Sequence, residues 1–342
     1  MAIVTVGIDL AKNVFAVHGI NEFSKPQLVE PSVSRAKLPK LISQLPPCTI
    51  AMEACSGAHY WARQFQAMGH TVKLIAPKFV SPYRMGGKCG KNDAADAAAI
   101  CEAATRPQMR FVAVKTIDQM SMLFNHRARQ GQVQMKVALI NRIRGLLHEM
   151  GIIYPKGASA AKLTAYVNSI LEELPAPMQI TFSHLLTQLQ SVCEQIDFFA
   201  EQIAFLAKDN IQTQQLMKLP GIGVLTATAL VATIGNGSQF TCGRQLAAFL
   251  GLVPRQNSSG GKARLGRITK GGDNYLRSLL IMGAKSVILN SSRKEEISSI
   301  ERWALNLKER KVYGKAVIAL ASKNARMCWA ALQRGDAFVL PK

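Results

Sequence analysis

The stretch Ala2-Ile3-Val4-Thr5-Val6-Gly7-Ile8-Asp9 decides the fold of the first hundred residues. Val4, Val6 and Ile8 alternate with their neighbours, the period of a half-buried strand, and the run closes on a carboxylate. A second apolar run, Cys48-Thr49-Ile50-Ala51-Met52-Glu53, closes the same way. Further strand-like runs at 13–20 and 71–76 are interleaved with helical patterns near 36–44 and 57–68, so residues 1 to about 110 read as α/β. Pro77 ends the last of these strands, and a loop rich in Gly and Lys (85–91) leads into Asn92-Asp93-Ala94-Ala95-Asp96-Ala97-Ala98-Ala99-Ile100. Asp93 and Asp96 lie three apart in an alanine-rich helix and therefore face the same way. Carboxylates at two strand ends opposite a helical pair suit hard divalent cations and phosphate chemistry.

The rest of the chain is basic. Lys and Arg number 42 against 21 for Asp and Glu, a formal net charge of +21. Such an excess points to a polyanionic partner, nucleic acid before an anionic membrane surface. No run of 18 or more uncharged apolar residues exists, and the cations are spread along the chain. The sequence enters a strand pattern at once without a charged leader, so a cytoplasmic, nucleoid-associated location is expected. A chain of 342 residues holds two or three domains. Seven scattered cysteines without a C-x-x-C pair, and six histidines without metal-ligand spacing, argue for reduced thiols and against a zinc site or disulfide frame.

From 116 to 150 the pattern turns helical, with Arg127, Arg129, Lys136, Arg142 and Arg144 among apolar positions. These cations form either a solvated face or a face that grips a nucleic-acid backbone. Leu185, Leu189, Val192, Ile196, Phe199, Ile203 and Leu206 keep a 4-3 spacing over three heptads. That period favours a coiled coil and self-association over a long helix packed on its own protein. Pro155, Gly157, Pro175 and Pro177 mark a boundary upstream. Leu219-Pro220-Gly221-Ile222-Gly223 precedes an apolar helix; Gly221 and Gly223 either bring backbone N–H groups to a phosphate, as in helix-hairpin-helix motifs, or serve ordinary turn chemistry. Ser258-Ser259-Gly260-Gly261 lies among Arg255, Lys262, Arg264, Arg267 and Lys270. It reads as a phosphate-gripping loop or, more sharply, as a serine nucleophile whose neighbouring cations hold the scissile phosphate. Three segments follow: an α/β domain at 1–150, a helical, coiled-coil dimerisation segment at 151–210, and an all-α domain at 211–342.

Gly-Ile-Asp at a first hairpin also occurs in actin-like kinases, but the turn here reads Leu10-Ala11-Lys12-Asn13, without the Gly/Thr-rich phosphate turn of that fold. The arrangement of carboxylates found in ribonuclease-H-like nucleases, which hold divalent metal for phosphate chemistry, is the preferred reading. Val6-Gly7-Ile8-Asp9-Leu10-Ala11-Lys12, Met52-Glu53-Ala54-Cys55-Ser56-Gly57, Lys91-Asn92-Asp93-Ala94-Ala95-Asp96, Pro220-Gly221-Ile222-Gly223, and Gly251-Leu252-Val253-Pro254-Arg255 with Ser259-Gly260 occur in this order. With these five stretches the chain resembles, over essentially its full length, the DEDD transposases of the insertion-sequence family one-ten, and most closely the eleven-eleven subgroup. The resemblance implies an N-terminal RNase H-like (RuvC-like) domain whose Asp9, Glu53, Asp93 and Asp96 bind Mg²⁺. It further implies a coiled-coil helix and an all-α C-terminal transposase domain that supplies Ser259, the serine that aligns with the family's. Such enzymes are guided by a structured bridge RNA that pairs with target and donor DNA. They form a 5′-phosphoserine link and assemble as dimers of dimers, with acids from one protomer and serine from another. A metal-only, structure-selective endonuclease is the alternative.

Overall fold

The computed structural model describes residues 2–84, 92–155, 157 and 159–335; the Gly/Lys loop at 85–91 lies outside them. Two compact units emerge, Met1–Thr116 and Ile117–Lys342.

The first unit runs β1 (Thr5–Asp9), β2 (Val14–Ile20), β3 (Pro26–Ser34), α1 (Leu38–Ser43), β4 (Thr49–Glu53), α2 (Ala58–Ala67), β5 (Thr71–Ile75), α3 (Pro77–Val80), a 3-10 turn (Ser81–Tyr83), α4 (Asp93–Thr105) and β6 (Phe111–Val112). The sheet order is β3-β2-β1-β4-β5-β6. β1, β4 and β5 run parallel, while β2, β3 and β6 are antiparallel to their neighbours. β1 is central, and the two-residue period assigns its faces. Val6 and Ile8 pack with Leu38, Ile42, Trp61 and Phe65 from α1 and α2. Thr5 and Gly7 face α4, whose Cys101 Sγ–H donates to the Thr5 carbonyl at 3.6 Å. Gly7 is what lets α4 come so close: a Cβ there would stand 2.3 Å from the Ala97 carbonyl oxygen.

The second unit comprises α5 (Ile117–Glu149), α6 (Ala160–Ile170), a 3-10 turn (Leu171–Glu173), α7 (Ala176–Ala207), α8 (Ile211–Met217), α9 (Val224–Ile234), α10 (Gly243–Phe249), β7 (Pro254–Gln256), β8 (Leu265–Ile268), α11 (Asn274–Ser291), α12 (Ser299–Arg310) and α13 (Tyr313–Arg334). Two expectations change here. The region 211–342 is helical but not all-α, because β7 and β8 pair as an antiparallel hairpin. In backbone packing α5 groups with α6 and α7 in the second unit. The heptad stripe of α7 is filled within the chain: Leu189, Val192 and Ile196 join Phe182 and Leu186 against Leu139, Ile143 and Leu147 of α5. Only its last member, Leu206, is clearly exposed, at 41%. No helix among the described residues is long and apolar enough to cross a membrane.

A buried polar junction ties α5 to α9 and α11. Thr228 Oγ1 donates to the Val224 carbonyl at 2.6 Å, which leaves it to accept from His126 Nε2–H at 3.0 Å. The bare Nδ1 then accepts from the Tyr275 hydroxyl at 2.9 Å. Burial, and secondarily the Arg129 guanidinium, push His126 down to about 4. The unfolded chain protonates this imidazole near its ordinary 6.5 and the folded one resists. The contribution is therefore full above pH 6.5 and declines as pH falls towards 4, by on the order of 3 kcal/mol. Denaturant titrations of wild type and His126→Gln at pH 7 and pH 4.5 are expected to show this loss in wild type alone.

Candidate active site

The residues expected to carry chemistry fall in two places, one in each unit. In the first unit the register of the sheet does the positioning. Ile8 of β1 is aligned with Met52 of β4 in parallel, so Asp9 and Glu53 end adjacent strands at the same edge of the sheet. Alternation puts Asp9 on the face of Thr5 and Gly7, and Glu53 on the face of Ala51, which packs with Ile100 and Ala103 of α4. Both carboxylates thus project to the side that α4 covers. Burial of its sulfur, followed by the negative charges of Glu53 and Asp9, pushes the Cys55 thiol up.

α4 starts where Asn92 caps it, its side chain accepting from the Ala95 N–H at 2.7 Å. Both acids of the helical pair fall in the first turn, but their surroundings differ: Asp96 is buried and Asp93 exposed. Arg84, which ends the 3-10 turn, bridges the two elements. Its Nη2 donates to Glu53 Oε1 at 3.2 Å, and its Nε lies 2.8 Å from Asp96 Oδ1. Glu53 and Asp96 are thus brought together around one cation. Among the described residues no three carboxylate, imidazole or thiolate groups converge closely enough to hold a metal ion. The donor set nevertheless suits a hard divalent ion: carboxylate oxygens on rigid elements, already gathered around a positive charge. Glu53 and Asp96 are the residues brought together that would hold it, with Asp9 at the end of the adjacent strand and the exposed Asp93 at the start of the same helix.

In the second unit the hairpin presents the serines. Gly260 and Gly261 have φ of +56° and +73°, and Lys262 N–H donates to the Ser259 carbonyl at 3.1 Å. This is the two-residue turn with both central residues left-handed, whose twist suits an antiparallel pair, and glycine adopts it without strain. Asn257 N–H donates to the Arg264 carbonyl, so the register continues down the hairpin. Alternation then sets Ser259, Asn257, Arg255, Lys262 and Arg264 on one face. Ser258 points the other way, and its Oγ accepts from Arg264 N–H at 3.1 Å and from the Gln256 amide at 3.0 Å. Ser259 is exposed, and its hydroxyl makes no hydrogen bond among the described residues. Arg267 and Lys270 are also exposed and follow on β8 and just beyond it.

The base of the hairpin is held by a residue that sequence reading missed. Arg277 is buried in α11 and donates through Nη1 to the carbonyls of Leu250 (3.1 Å) and Gly271 (2.9 Å), one before the hairpin and one after it. Its Nη2 donates to Asn274 Oδ1 at 2.7 Å. An arginine among Asn274-Tyr275-Leu276 carries no sequence signal of this role, because its partners lie up to 27 positions away. Arg277→Met is expected to strand both carbonyls and cost about 2–4 kcal/mol. Thermal melting would register the loss, and limited proteolysis would show faster cleavage between 254 and 270.

Of the two hairpin glycines read as phosphate contacts, Gly221 has a packing reason of its own. Its φ is +79°, and a Cβ would meet the Gly283 carbonyl of α11 at 2.8 Å. Gly223 is the exposed N-cap of α9, with open space around it, and the first-turn N–H groups there have no side-chain cap.

Carboxylates at a sheet edge and a cationic hairpin on one strongly basic chain are compatible with work on nucleic acid. Comparison with known proteins sharpens the class. Residues 6–152 match the DEDD transposase profile of the IS110 type, and residues 213–298 match the profile described as the transposase IS116/IS110/IS902 family. A Pseudomonas aeruginosa protein named "Probable family 20 transposase" is 44% identical over 96% of both chains. The transposase for insertion sequence element IS1111A of Coxiella burnetii is 39% identical over 97% of this chain and 90% of its own. That of element IS1328 of Yersinia enterocolitica is 37% identical over 97% and 98%. The chain belongs to the IS110 family of DEDD transposases and is IS1111-like. It is therefore an insertion-sequence enzyme that acts on DNA, and its family uses divalent metal.

Proposed function

We propose that this transposase cuts and rejoins DNA through a covalent link to Ser259. The carboxylates Asp9, Glu53, Asp93 and Asp96 of an RNase H-like, RuvC-like unit hold Mg²⁺ beside the reacting phosphate. The observation that carries the reading is the contrast between neighbouring serines: Ser258 is tied into the hairpin, while the Ser259 hydroxyl stands bare at a rigid turn among cations. The mixed strand order, with acids at the ends of β1 and β4 beneath the start of α4, supports the metal-binding half.

In the proposed step Ser259 Oγ attacks a backbone phosphorus. The bond formed is Oγ–P and the bond broken is P–O3′; the serine proton leaves to water and the departing 3′ oxygen takes one up. Lys262, Arg264 and Arg255 share the serine's face and hold the non-bridging oxygens, neutralising charge as it grows. Bound divalent metal would supply further Lewis-acid stabilisation of that charge. Because the 5′-phosphoserine bond conserves the energy of the phosphodiester, a second 3′-hydroxyl can reverse the step and complete strand transfer.

Target choice by a bridge RNA pairing with target and donor DNA rests on the resemblance and is compatible with the charge of +21. So does a site composed from two protomers of a dimer that assembles to a tetramer. The decisive experiment is adduct trapping in cells that carry the whole element. The protein is denatured and digested, and the peptide containing Ser259 is searched for a bound nucleotide. A phosphoserine-linked nucleotide is expected. DNA cleavage with free ends and no adduct would instead mean metal-catalysed hydrolysis, with the hairpin gripping phosphate only.

A further inference from the structure

We propose that Arg84 is a built-in placeholder for the divalent cation: it holds Glu53 and Asp96 in position in the metal-free protein and must leave when metal binds. The inference rests on the reading of these acids as metal ligands and goes beyond it.

Three observations carry it. First, the guanidinium contacts one oxygen of each carboxylate, at 3.2 and 2.8 Å. A guanidinium that touches both carboxylates fills the space between them, where an ion shared by Glu53 and Asp96 would sit, and its positive charge would repel that ion. Second, the contact to Asp96 is electrostatic rather than directional: Nε is buried and close to Oδ1, yet it makes no aligned hydrogen bond. A spherical ion can replace such a contact without loss of hydrogen-bond geometry. Third, burial is asymmetric. The side chains of Glu53 and Asp96 are 13% and 6% exposed, whereas that of Arg84 is 29% exposed. The acids are thus held by strand and helix while the guanidinium keeps an outward side, and it can depart without unpacking the core. Two carboxylates this deeply set need a positive charge between them, or their repulsion and desolvation would push α4 away from β4. Arg84 meets that need before metal arrives, so the site is preformed and premature loading is opposed.

The test is Mn²⁺ titration of the full chain, without DNA or RNA, by calorimetry, paired with thermal melting. Arg84→Met is expected to tighten Mn²⁺ binding at least about fivefold, because the ion no longer competes with the guanidinium. Lys78→Met removes an exposed cation from α3 and is expected to change affinity less than about twofold. Metal-free Arg84→Met should melt below wild type, and saturating Mn²⁺ should raise its midpoint more than it raises that of wild type. Arg84→Lys keeps the charge but not the span, and should shift both readings in the same direction by less. Unchanged or weaker affinity in Arg84→Met, with binding still lost in Asp96→Asn, would overturn the placeholder and leave the metal site standing. Binding that ignores both Asp96→Asn and Glu53→Gln would overturn the metal reading itself, and the placeholder with it.

Discussion

Ser259→Ala is expected to lower strand transfer by at least about 10³-fold and to abolish the covalent protein–DNA adduct, while binding of DNA persists. The neighbouring hydroxyl cannot substitute. Ser258 lies on the opposite face of the hairpin and is held by Arg264 N–H and the Gln256 amide. Ser258→Ala removes those two contacts, worth about 1 kcal/mol each, so a loss within about tenfold is expected. Gly261→Val supplies a third comparison: it retains both hydroxyls but forces a β-branched residue into φ +73°. The turn should open and Ser259 lose its register, giving low activity with an intact nucleophile. Gel-shift binding and quantitative adduct yield for the three variants separate a nucleophile from a loop residue that only grips phosphate. Comparable losses for both serine variants would refute the assignment of Ser259.

How much of this was legible in the sequence depended on whether a signal was local. β1 and β4 announced themselves because each buries apolar residues at a two-residue period and ends on an acid. β3 did not: Pro26–Ser34 is a mostly exposed edge strand, with Val33 as its one buried residue. Its pairing with β2 comes from backbone hydrogen bonds rather than hydrophobic pattern. β6 is two residues long and follows from its neighbour alone. The β7–β8 hairpin is exposed throughout its strands save Ile268, so it read as a loop. Gly260-Gly261 was the signal that could have found it, since two glycines joining short runs favour a tight hairpin turn. The heptads of α7 were real, but spacing does not name a partner. Over three heptads a 3.5-residue and a 3.6-residue period differ by only about 20° per repeat, and α5 fills the stripe. Asp9, Glu53 and Asp96 could be read as a set, yet Arg84 could not. Its role exists only where β4 and α4 meet the end of the 3-10 turn.

Gly7→Ala is expected to damage the acidic site without touching an acid. The added Cβ would lie 2.3 Å from the Ala97 carbonyl oxygen, 2.6 Å from Cys101 N and 2.8 Å from Cys101 Cβ. Two of these three are backbone atoms, so no rotamer change relieves the contact and α4 must move outward by roughly 1 Å. Ala97 directly follows Asp96, so the displacement is delivered to the carboxylate that meets Arg84, while Asp9 stays two residues along on β1. Misplacement of catalytic groups by about 1 Å costs on the order of 10² in rate, and overpacking costs about 1–3 kcal/mol in stability. Gly131→Ala makes the matched control: it sits inside α5 with nothing within 4 Å of the added carbon. There the helix should gain about 0.5–1 kcal/mol and activity should not change. Melting curves and strand-transfer rates for the two variants should therefore move in opposite directions for stability, and only Gly7→Ala should lose rate. A Gly7→Ala protein with wild-type activity would mean that the depth at which α4 docks on β1 does not set the geometry of the acids.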